Sequence, residues 1–146
     1  YLLFAGESGE LKRLQKKDVL DTDWVSGGFM MVRRDVFEQV TGFNESYFMY
    51  IEDMDLCYRV KKIGYKVIFT PLVKVKHIGQ ASTNKTFAIV HIYEGLQIFY
   101  RQQRSLVEYY ILKLLLCIKA LVALVVGLCT WNKYLITTYL RALKTL

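Results

Sequence analysis

Tyr50-Ile51-Glu52-Asp53-Met54-Asp55-Leu56 is the most informative segment of this 146-residue chain, because it places three carboxylates within four positions. Clustered carboxylates repel one another, so a fold keeps them together where they bind a metal, take up a proton or cap a helix. Apolar residues then follow with helical spacing until Gly64 ends the pattern. We predict a helix from about Asp53 to Ile63, packed on a sheet through Leu56, Val60 and Ile63.

The residues before this helix indicate a strand and a short helix. Phe29-Met30-Met31-Val32 is a continuous apolar run of strand length. Asp35 and Glu38 have the spacing of a capping box, and Gly42 is placed to end the helix that would follow. We therefore predict a buried strand and then a helix of about two turns.

Two further strands are predicted after the acidic helix. Tyr65 to Phe69 is mostly apolar and is followed by Pro71, which cannot continue a ladder. Val73 to His77 alternates between apolar and polar residues, as a half-exposed strand does. The second strand would present His77 at its end, before a polar loop.

Composition limits the classes of protein that fit. A hydrophobic content of 53% excludes disorder, and one proline with nine glycines excludes collagen-like sequence. The three cysteines form no metal-binding or disulfide pattern and favour a reducing compartment. The chain begins with Tyr1 and shows no signal peptide, so we expect a fragment whose beginning lies elsewhere.

The net charge of +7 is concentrated in the C-terminal part of the chain. Residues 1–83 carry 12 basic and 11 acidic side chains, a net of +1, whereas residues 84–146 carry 8 and 2, a net of +6. The longest apolar runs lie in the same basic part. Basic and apolar sequence together favours an anionic membrane surface. Nucleic-acid binding is disfavoured, because no basic cluster exceeds two adjacent residues and no recognition motif is present.

The apolar tail is predicted to be helical and to associate with a membrane. Between Tyr109 and Asn132 the only charges are Lys113 and Lys119, and aromatic residues stand at both ends. A helix from about Tyr109 to Trp131 would be near the length that crosses the hydrocarbon core. The central lysine opposes crossing, so the tail either spans the membrane or lies in its interface. A helix packed on another part of the enzyme is the alternative.

Each candidate site residue has an ordinary structural interpretation beside the functional one. The acids can simply favour a helix N-terminus, and His77 or Trp24 can be an ordinary surface or core residue. The functional interpretation makes one of these acids a general base, desolvated by the preceding aromatic residues, and makes His77 a metal ligand. Trp24 would then stack on a sugar. Asp21-Thr22-Asp23 is interpreted as a solvated pair of acids.

The order and spacing of these motifs resemble the C-terminal half of rhamnosyltransferase-like family-2 glycosyltransferases. The resemblance runs through Trp24–Arg34, Phe37–Phe43, Phe48–Arg59, Gly64-Tyr65 and His77–Thr83. It implies a partial α/β domain of the GT-A type, which binds a nucleotide-diphospho-sugar, in residues 1–85. Residues 86–146 would be the helical, apolar, membrane-associating tail.

The resemblance also implies residue roles. Asp53 corresponds to the catalytic base, with Glu52 beside it, and His77 to a residue that helps hold a divalent ion, Mg²⁺ or Mn²⁺. The expected substrate-binding residues are Trp24, Gly27, Gly28 and Asp55. The N-terminal half of the family's domain, with its metal-binding DxD, has no counterpart here, so we expect a fragment inactive by itself.

The function implied is that of a metal-dependent, inverting glycosyltransferase. It would move a sugar from a nucleotide-sugar donor to a glycan or lipid-linked acceptor, in cell-surface polysaccharide synthesis on the cytoplasmic face of the cell membrane. The alternative is a non-catalytic, membrane-anchored fragment that binds a saccharide or a partner.

Overall fold

The computed structural model describes residues 2–4, 19–72, 75 and 84–146, and for residues 2–4 it describes only the backbone strand. The chain divides into two compact units. The first consists of Tyr1–Glu45 and Glu52–Gly79, and the second of Ser46–Ile51 and Gln80–Leu146. The α/β class with a helical C-terminal part and one strongly apolar helix is thus confirmed.

A four-stranded mixed sheet forms the framework of the first unit. Its strands are β1 (Leu2–Phe4), β2 (Leu20–Thr22), β3 (Met30–Val32) and β4 (Val67–Phe69), in the order β2-β4-β1-β3. β1 is parallel to β4 and antiparallel to β3, while β2 is antiparallel to β4. β3 and β4 confirm the two strands predicted around these positions, each shortened at its N-terminal end. The prediction that the first of them is buried is wrong: Met31 is 59% exposed, because only the face of β3 that carries Met30 and Val32 packs against the core.

Helix α2 (Glu52–Lys62) supplies much of the core of this unit, as its apolar period predicts. Leu56 and Val60 are buried, together with Cys57. Ile63, by contrast, is 39% exposed, so the prediction that the helix packs through it is wrong. The physical reason is that Ile63 lies in the terminating turn, where Gly64 has a φ of +90° and leads the chain away from the helix.

Helix α1 (Arg34–Gln39) is short, as predicted, but its ends differ from the prediction. No side chain caps its N-terminus, and Asp35 instead accepts from Nε of Arg33 at 3.0 Å. The predicted capping box is therefore wrong, because a nearby guanidinium competes for the carboxylate. At the other end Thr41 already has a φ of +61°, one residue before the predicted stop at Gly42.

Three helices make up most of the second unit: α3 (Lys85–Gln103), α4 (Leu106–Cys129) and α5 (Lys133–Leu143). Each begins at a side-chain cap, from Asn84, Ser105 and Asn132 respectively, and Ser105 forms a full capping box with Glu108. The long apolar helix predicted from about Tyr109 to Trp131 is present, three residues longer at its start and two shorter at its end.

α4 and α5 form an antiparallel hairpin. Gly127, near the turn, lies against Leu135, and further from the turn Leu116 and Ala120 share a cluster with Ala142. A Cβ at Gly127 would lie 3.0 Å from the Cβ of Leu135, so this glycine lets the two helices approach closely.

Two predictions about the chain's organisation are not decided by these elements. The predicted strand Val73–His77 lies outside the described residues except for Val75, which is not in a strand. The functional division into residues 1–85 and 86–146 stays a prediction; the compact units differ from it in that Ser46–Ile51 belongs with the helices.

Candidate functional site

The first turn of α2 carries all three acids of the predicted site, Glu52, Asp53 and Asp55. The positive end of the helix dipole favours negative charge there. Beyond this shared position the three carboxylates have different surroundings. Their separate contacts indicate which of them can act on a ligand.

Asp53 is held by backbone N–H groups. Its Oδ2 accepts a hydrogen bond from the N–H of Gly27 at 2.8 Å, and its Oδ1 accepts from the N–H of Met54 at 2.8 Å. The structure thus brings the predicted glycine segment and the predicted base together across 26 residues of sequence. Both carboxylate oxygens are oriented by the main chain, while the side chain remains partly exposed.

Gly27 has room for a side chain. A Cβ built there would lie 3.6 Å from the Cβ of Asp53, which is ordinary van der Waals contact. The protein itself therefore does not require glycine at this position. The expected binding of substrate by Gly27 and Gly28 stays a prediction.

Glu52 is the acid with the most perturbed environment. Desolvation by burial raises the pKa of its carboxyl above the ordinary value, and the negative charge of neighbouring Asp53 raises it further. Within the described part of the chain, its Oε2 is buried and has no hydrogen-bond partner. A carboxylate in such a position holds its proton to higher pH than a solvated one.

Asp55 has a structural role in this conformation. It is fully buried, and it accepts a hydrogen bond from Nε of Arg59, one helical turn later, at 2.7 Å. The same guanidinium also donates to the carbonyl of Val40 and, at 2.8 Å, to that of Gly42. Asp55 and Arg59 therefore fasten α2 to the C-terminal end of α1. The substrate contact predicted for Asp55 stays a prediction, but its carboxylate is not accessible here.

The segment that begins at Trp24 and leads to Gly27, the hydrogen-bond partner of Asp53, is partly exposed. Trp24 is 49% exposed, whereas Val25 beside it is buried in the core. Ser26 caps the single 3-10 turn Gly27–Phe29 by accepting from the N–H of Gly28 at 3.4 Å. The sugar-stacking role predicted for Trp24 stays a prediction.

The described residues contain no cluster of side chains that could hold a metal ion by themselves. No three His, Cys, Asp or Glu side chains cluster anywhere in residues 19–72, 75 and 84–146. Asp53 directs its oxygens at N–H groups, and Asp55 is paired with Arg59. His77, the predicted metal ligand, lies outside the described residues.

Sequence reasoning missed the lysine partners of the upstream acids. Lys61 pairs with Asp23 at 2.7 Å and donates to the carbonyl of Thr22 at 3.2 Å, and Lys66 lies 3.4 Å from Asp21. The hydrogen bond from Lys61 holds the pKa of Asp23 below its usual range. Only the Asp55–Arg59 pair had a visible signal, the i, i+4 spacing on one helix. The lysine pairs join distant segments, which no local pattern reveals.

Comparison with known proteins identifies the region around this site. Residues 14–85 match the sequence family described as "N-terminal domain of galactosyltransferase". Over 62 residues, 42% of this chain, it is 45% identical to an N-acetylglucosaminyl-diphospho-decaprenol L-rhamnosyltransferase of Mycobacterium tuberculosis. It is 38% identical over 66 residues, 45% of the chain, to the rhamnosyltransferase WbbL of Escherichia coli.

A third relative is the low-salt glycan biosynthesis hexosyltransferase Agl10 of Haloferax volcanii, 45% identical over 40 residues, 27% of this chain and 13% of the relative. The matched segment spans only 20% of the mycobacterial relative and 25% of the Escherichia coli one. No solved structure matches the chain. That the segment is the C-terminal half of a catalytic domain stays a prediction. The family match and the rhamnosyltransferase relatives together support a family-2 glycosyltransferase domain in residues 14–85.

Proposed function

We propose that this protein transfers a sugar from a nucleotide-sugar donor to a hydroxyl group of a glycan or lipid-linked acceptor, with inversion at the anomeric carbon. The observation that carries the proposal is the Asp53 carboxylate, held at the start of α2 by the N–H of Gly27. The names of the mycobacterial and Escherichia coli relatives support rhamnose as the first sugar to test. A GT-A arrangement of the donor-binding domain is part of the proposal.

The chemistry requires a base because an acceptor hydroxyl has a pKa far above neutrality. Asp53 would take the hydroxyl proton while the acceptor oxygen forms its bond to the anomeric carbon. The bond from that carbon to the diphosphate breaks on the opposite face, and the diphosphate leaves with the electron pair. One displacement inverts the centre, and no covalent enzyme intermediate is needed.

The neighbours of Asp53 support this role. The N–H groups of Gly27 and Met54 fix the carboxylate's direction, so little reorganisation is needed as the proton moves. Glu52 has a raised pKa and so carries less negative charge beside Asp53 as the pH falls towards that pKa. Trp24 would stack on a sugar ring.

A divalent ion, Mg²⁺ or Mn²⁺, is proposed for the complete enzyme. When bound, such an ion stabilises a leaving diphosphate as a Lewis acid. The described residues contain no cluster of three His, Cys, Asp or Glu side chains, and the proposal assigns only His77 to the ion.

We also propose that the protein acts on the cytoplasmic face of the cell membrane, in the synthesis of cell-surface polysaccharide. The mycobacterial relative is named for a diphospho-decaprenol acceptor, which is a lipid. The described residues include one helix, Leu106–Cys129, that is long and apolar enough to cross a membrane by length and composition alone.

The test is a transfer assay with the full-length protein, a nucleotide-diphospho-rhamnose and a polyprenyl-diphospho-N-acetylglucosamine acceptor. We expect Asp53→Asn to lower turnover by at least ~100-fold, because general-base catalysis typically contributes that much. Asp23→Asn, at an exposed acid paired with Lys61, is the matched control and should retain turnover.

Near-normal turnover by Asp53→Asn would contradict the assignment of the base. Retention of the anomeric configuration, read by NMR of the product, would contradict the single displacement. Saccharide binding without transfer by the full-length protein, for every donor tried, would favour the non-catalytic alternative.

A further inference from the structure

We propose that the second unit binds an anionic bilayer with α4 lying in the plane of the interface, its outer face submerged, and that α4 does not cross the membrane. The inference deepens the membrane part of the proposed function and concerns only the helices α3, α4 and α5. It rests on which faces of α4 are covered, on where the lysines of α4 lie and on the charged residues of the neighbouring helices α3 and α5.

One face of α4 is packed within the unit. Leu116, Ala120 and Gly127 are buried, and Leu112 is packed against the same cluster. These positions recur at helical spacing and form a single stripe. That stripe meets Tyr93 of α3 and Ala142 of α5.

The opposite face of α4 is apolar and uncovered. Only 17% of its most apolar stretch is buried inside the molecule. The uncovered side chains recur along the whole helix, over a length of about 36 Å. They are Val107, Tyr110, Ile111, Leu114, Leu115, Ile118, Leu121, Val122, Val125 and Leu128.

The two lysines of α4 mark the edges of this uncovered face. At about 100° per residue, Lys113 and Lys119 project roughly 120° to either side of the line through Ile118 and Val125. Both ammonium groups lie over aromatic rings, that of Lys113 5.7 Å from the ring centre of Tyr109 and that of Lys119 6.0 Å from that of Tyr93. Lysines at both edges of an apolar face are what an interfacial helix needs, since their stems lie in the apolar region and their charges reach the headgroups.

Crossing the membrane would carry polar neighbours into the hydrocarbon. The hydroxyl of Tyr93 donates to the carbonyl of Leu116 at 3.3 Å, so this part of α3 lies level with the middle of α4. Glu94, hydrogen-bonded to His91 at 2.7 Å, is the next residue of α3. Arg141 is likewise adjacent to Ala142, which packs in the same cluster. Charges at the bilayer centre are costly, and in-plane binding leaves these groups on the water side.

The charge of this part of the chain indicates that an anionic membrane, and not a second copy of the chain, covers the uncovered face of α4. Residues 84–146 carry a net +6, which attracts anionic headgroups and repels a second copy of the same chain. Aromatic side chains flank the face, with Tyr110 near its start and Trp131, 90% exposed, just past its end. Such residues are typical of the membrane–water interface.

The first experiment compares two leucine substitutions in the full-length protein. Leu114→Glu places a charge in the centre of the uncovered face, where the leucine is 60% exposed. The matched control Leu140→Glu changes a leucine that is 48% exposed on the outer face of α5, in register with Lys133, Thr137 and Lys144. Circular dichroism checks that both variants remain folded.

Binding is measured by flotation with vesicles of about three parts phosphatidylcholine to one part phosphatidylglycerol. We expect Leu114→Glu to weaken binding by about tenfold or more and Leu140→Glu by less than about twofold. Equal effects, no effect of Leu114→Glu, or a stable dimer in size-exclusion chromatography that Leu114→Glu dissociates would overturn the proposal.

The second experiment determines orientation. Arg101→Cys and Lys133→Cys, each in a background with the three native cysteines changed to alanine, place a thiol before and after α4. Protein bound to preformed vesicles is treated with a membrane-impermeant maleimide. In-plane binding predicts labelling of both thiols, whereas protection of the Lys133→Cys thiol alone would show crossing.

These outcomes are separate from those that test glycosyl transfer. Transfer to a water-soluble acceptor should survive Leu114→Glu, because the substitution lies outside the first unit. Loss of transfer with Asp53→Asn but unchanged vesicle binding would leave the membrane proposal intact. Failure of vesicle binding with normal transfer would overturn the membrane proposal alone.

Discussion

Helices α2 and α4 differ in burial, and in the opposite sense from what their compositions suggest. α2 begins with three acids and ends with three basic residues, yet it buries Leu56, Cys57 and Val60 almost completely. α4 contains two lysines and one glutamate among 24 residues, yet most of its surface is uncovered. The first helix is a core element with a polar site at its start, and the second is an apolar surface with a narrow packed stripe.

The difference shows that burial depends on what surrounds a helix as well as on its own hydrophobicity. Around α2 lie α1 and β4, and the Asp55–Arg59 pair fastens it to α1. α4 has α3 and α5 on one side only. Apolar side chains of the same types therefore stabilise the fold when they lie on α2. On the uncovered face of α4 they remain available to contact a membrane.

The strongest test of this difference is to break the polar fastening of α2. Asp55→Ala removes one member of a buried ion pair and leaves Arg59 without this partner. We expect the free energy of unfolding to fall by about 3–5 kcal/mol, measured by urea denaturation. The control Asp35→Ala removes an exposed partner of Arg33 and should change stability little. A similar effect of both substitutions would show that the fastening contributes no more than a surface pair.

The second test concerns close packing in the helical unit. A Cβ at Gly95 would lie 2.8 Å from Cγ1 of Ile51 and 3.0 Å from the carbonyl oxygen of Tyr50, so Gly95→Ala must displace that segment. We expect a loss of about 1–3 kcal/mol in the free energy of unfolding, as overpacking usually causes.

Ile51→Gly supplies the control for this prediction. Ile51 has a φ of +70°, which is unfavourable for a β-branched residue, and glycine there relieves the strain and removes the contact with the Ile51 side chain, leaving only that with the carbonyl oxygen of Tyr50. The double variant should recover much of the stability lost by Gly95→Ala alone. If Gly95→Ala instead stabilised the protein by about the 1 kcal/mol that alanine gains over glycine in a helix, the close contact would be refuted.

The smallest expected effect is a pH dependence at Glu52. Its folded-state pKa is raised by burial, so the group opposes folding once the pH rises above its unfolded value of 4.5. Relative to the wild type, Glu52→Gln should therefore become more stable as the pH rises from about 4.5 through the folded-state pKa. Urea midpoints across this range measure the trend.

Glu108 provides a control of opposite sign. Hydrogen bonds from Ser105 lower its pKa, so its contribution to stability is present above 4.5 and is lost as the pH falls through the folded-state pKa. Glu108→Gln should lose stability at neutral pH and converge on the wild type in acid. The same trend for both variants would contradict the assigned environments.

Patterns of neighbouring residues in the sequence predicted several helices and strands of the first unit, including the helix that carries the three acids. The apolar period placed α2 within one residue at each end, and Gly64 was correctly identified as its stop. The capping box at Asp35 failed because Arg33, two residues earlier, binds the carboxylate. The exposure of Ile63 was not predicted, because the apolar period does not show that the helix ends at Lys62 and that the next residue is no longer packed on the core.

The sequence by itself determined the similarity to glycosyltransferases, the acidic start of α2 and the existence of an apolar basic tail, since these depend on residues close together in the chain. Only the tertiary structure shows what each of the three acids contacts. Gly27 reaches Asp53 across 26 residues, and Arg59 joins Asp55 to carbonyls of α1. It also decided which face of α4 is covered, because α3 and α5 bury the stripe through Leu116 and leave the other side open. Such contacts depend on chain reversals that bring distant residues together, and no local spacing encodes them.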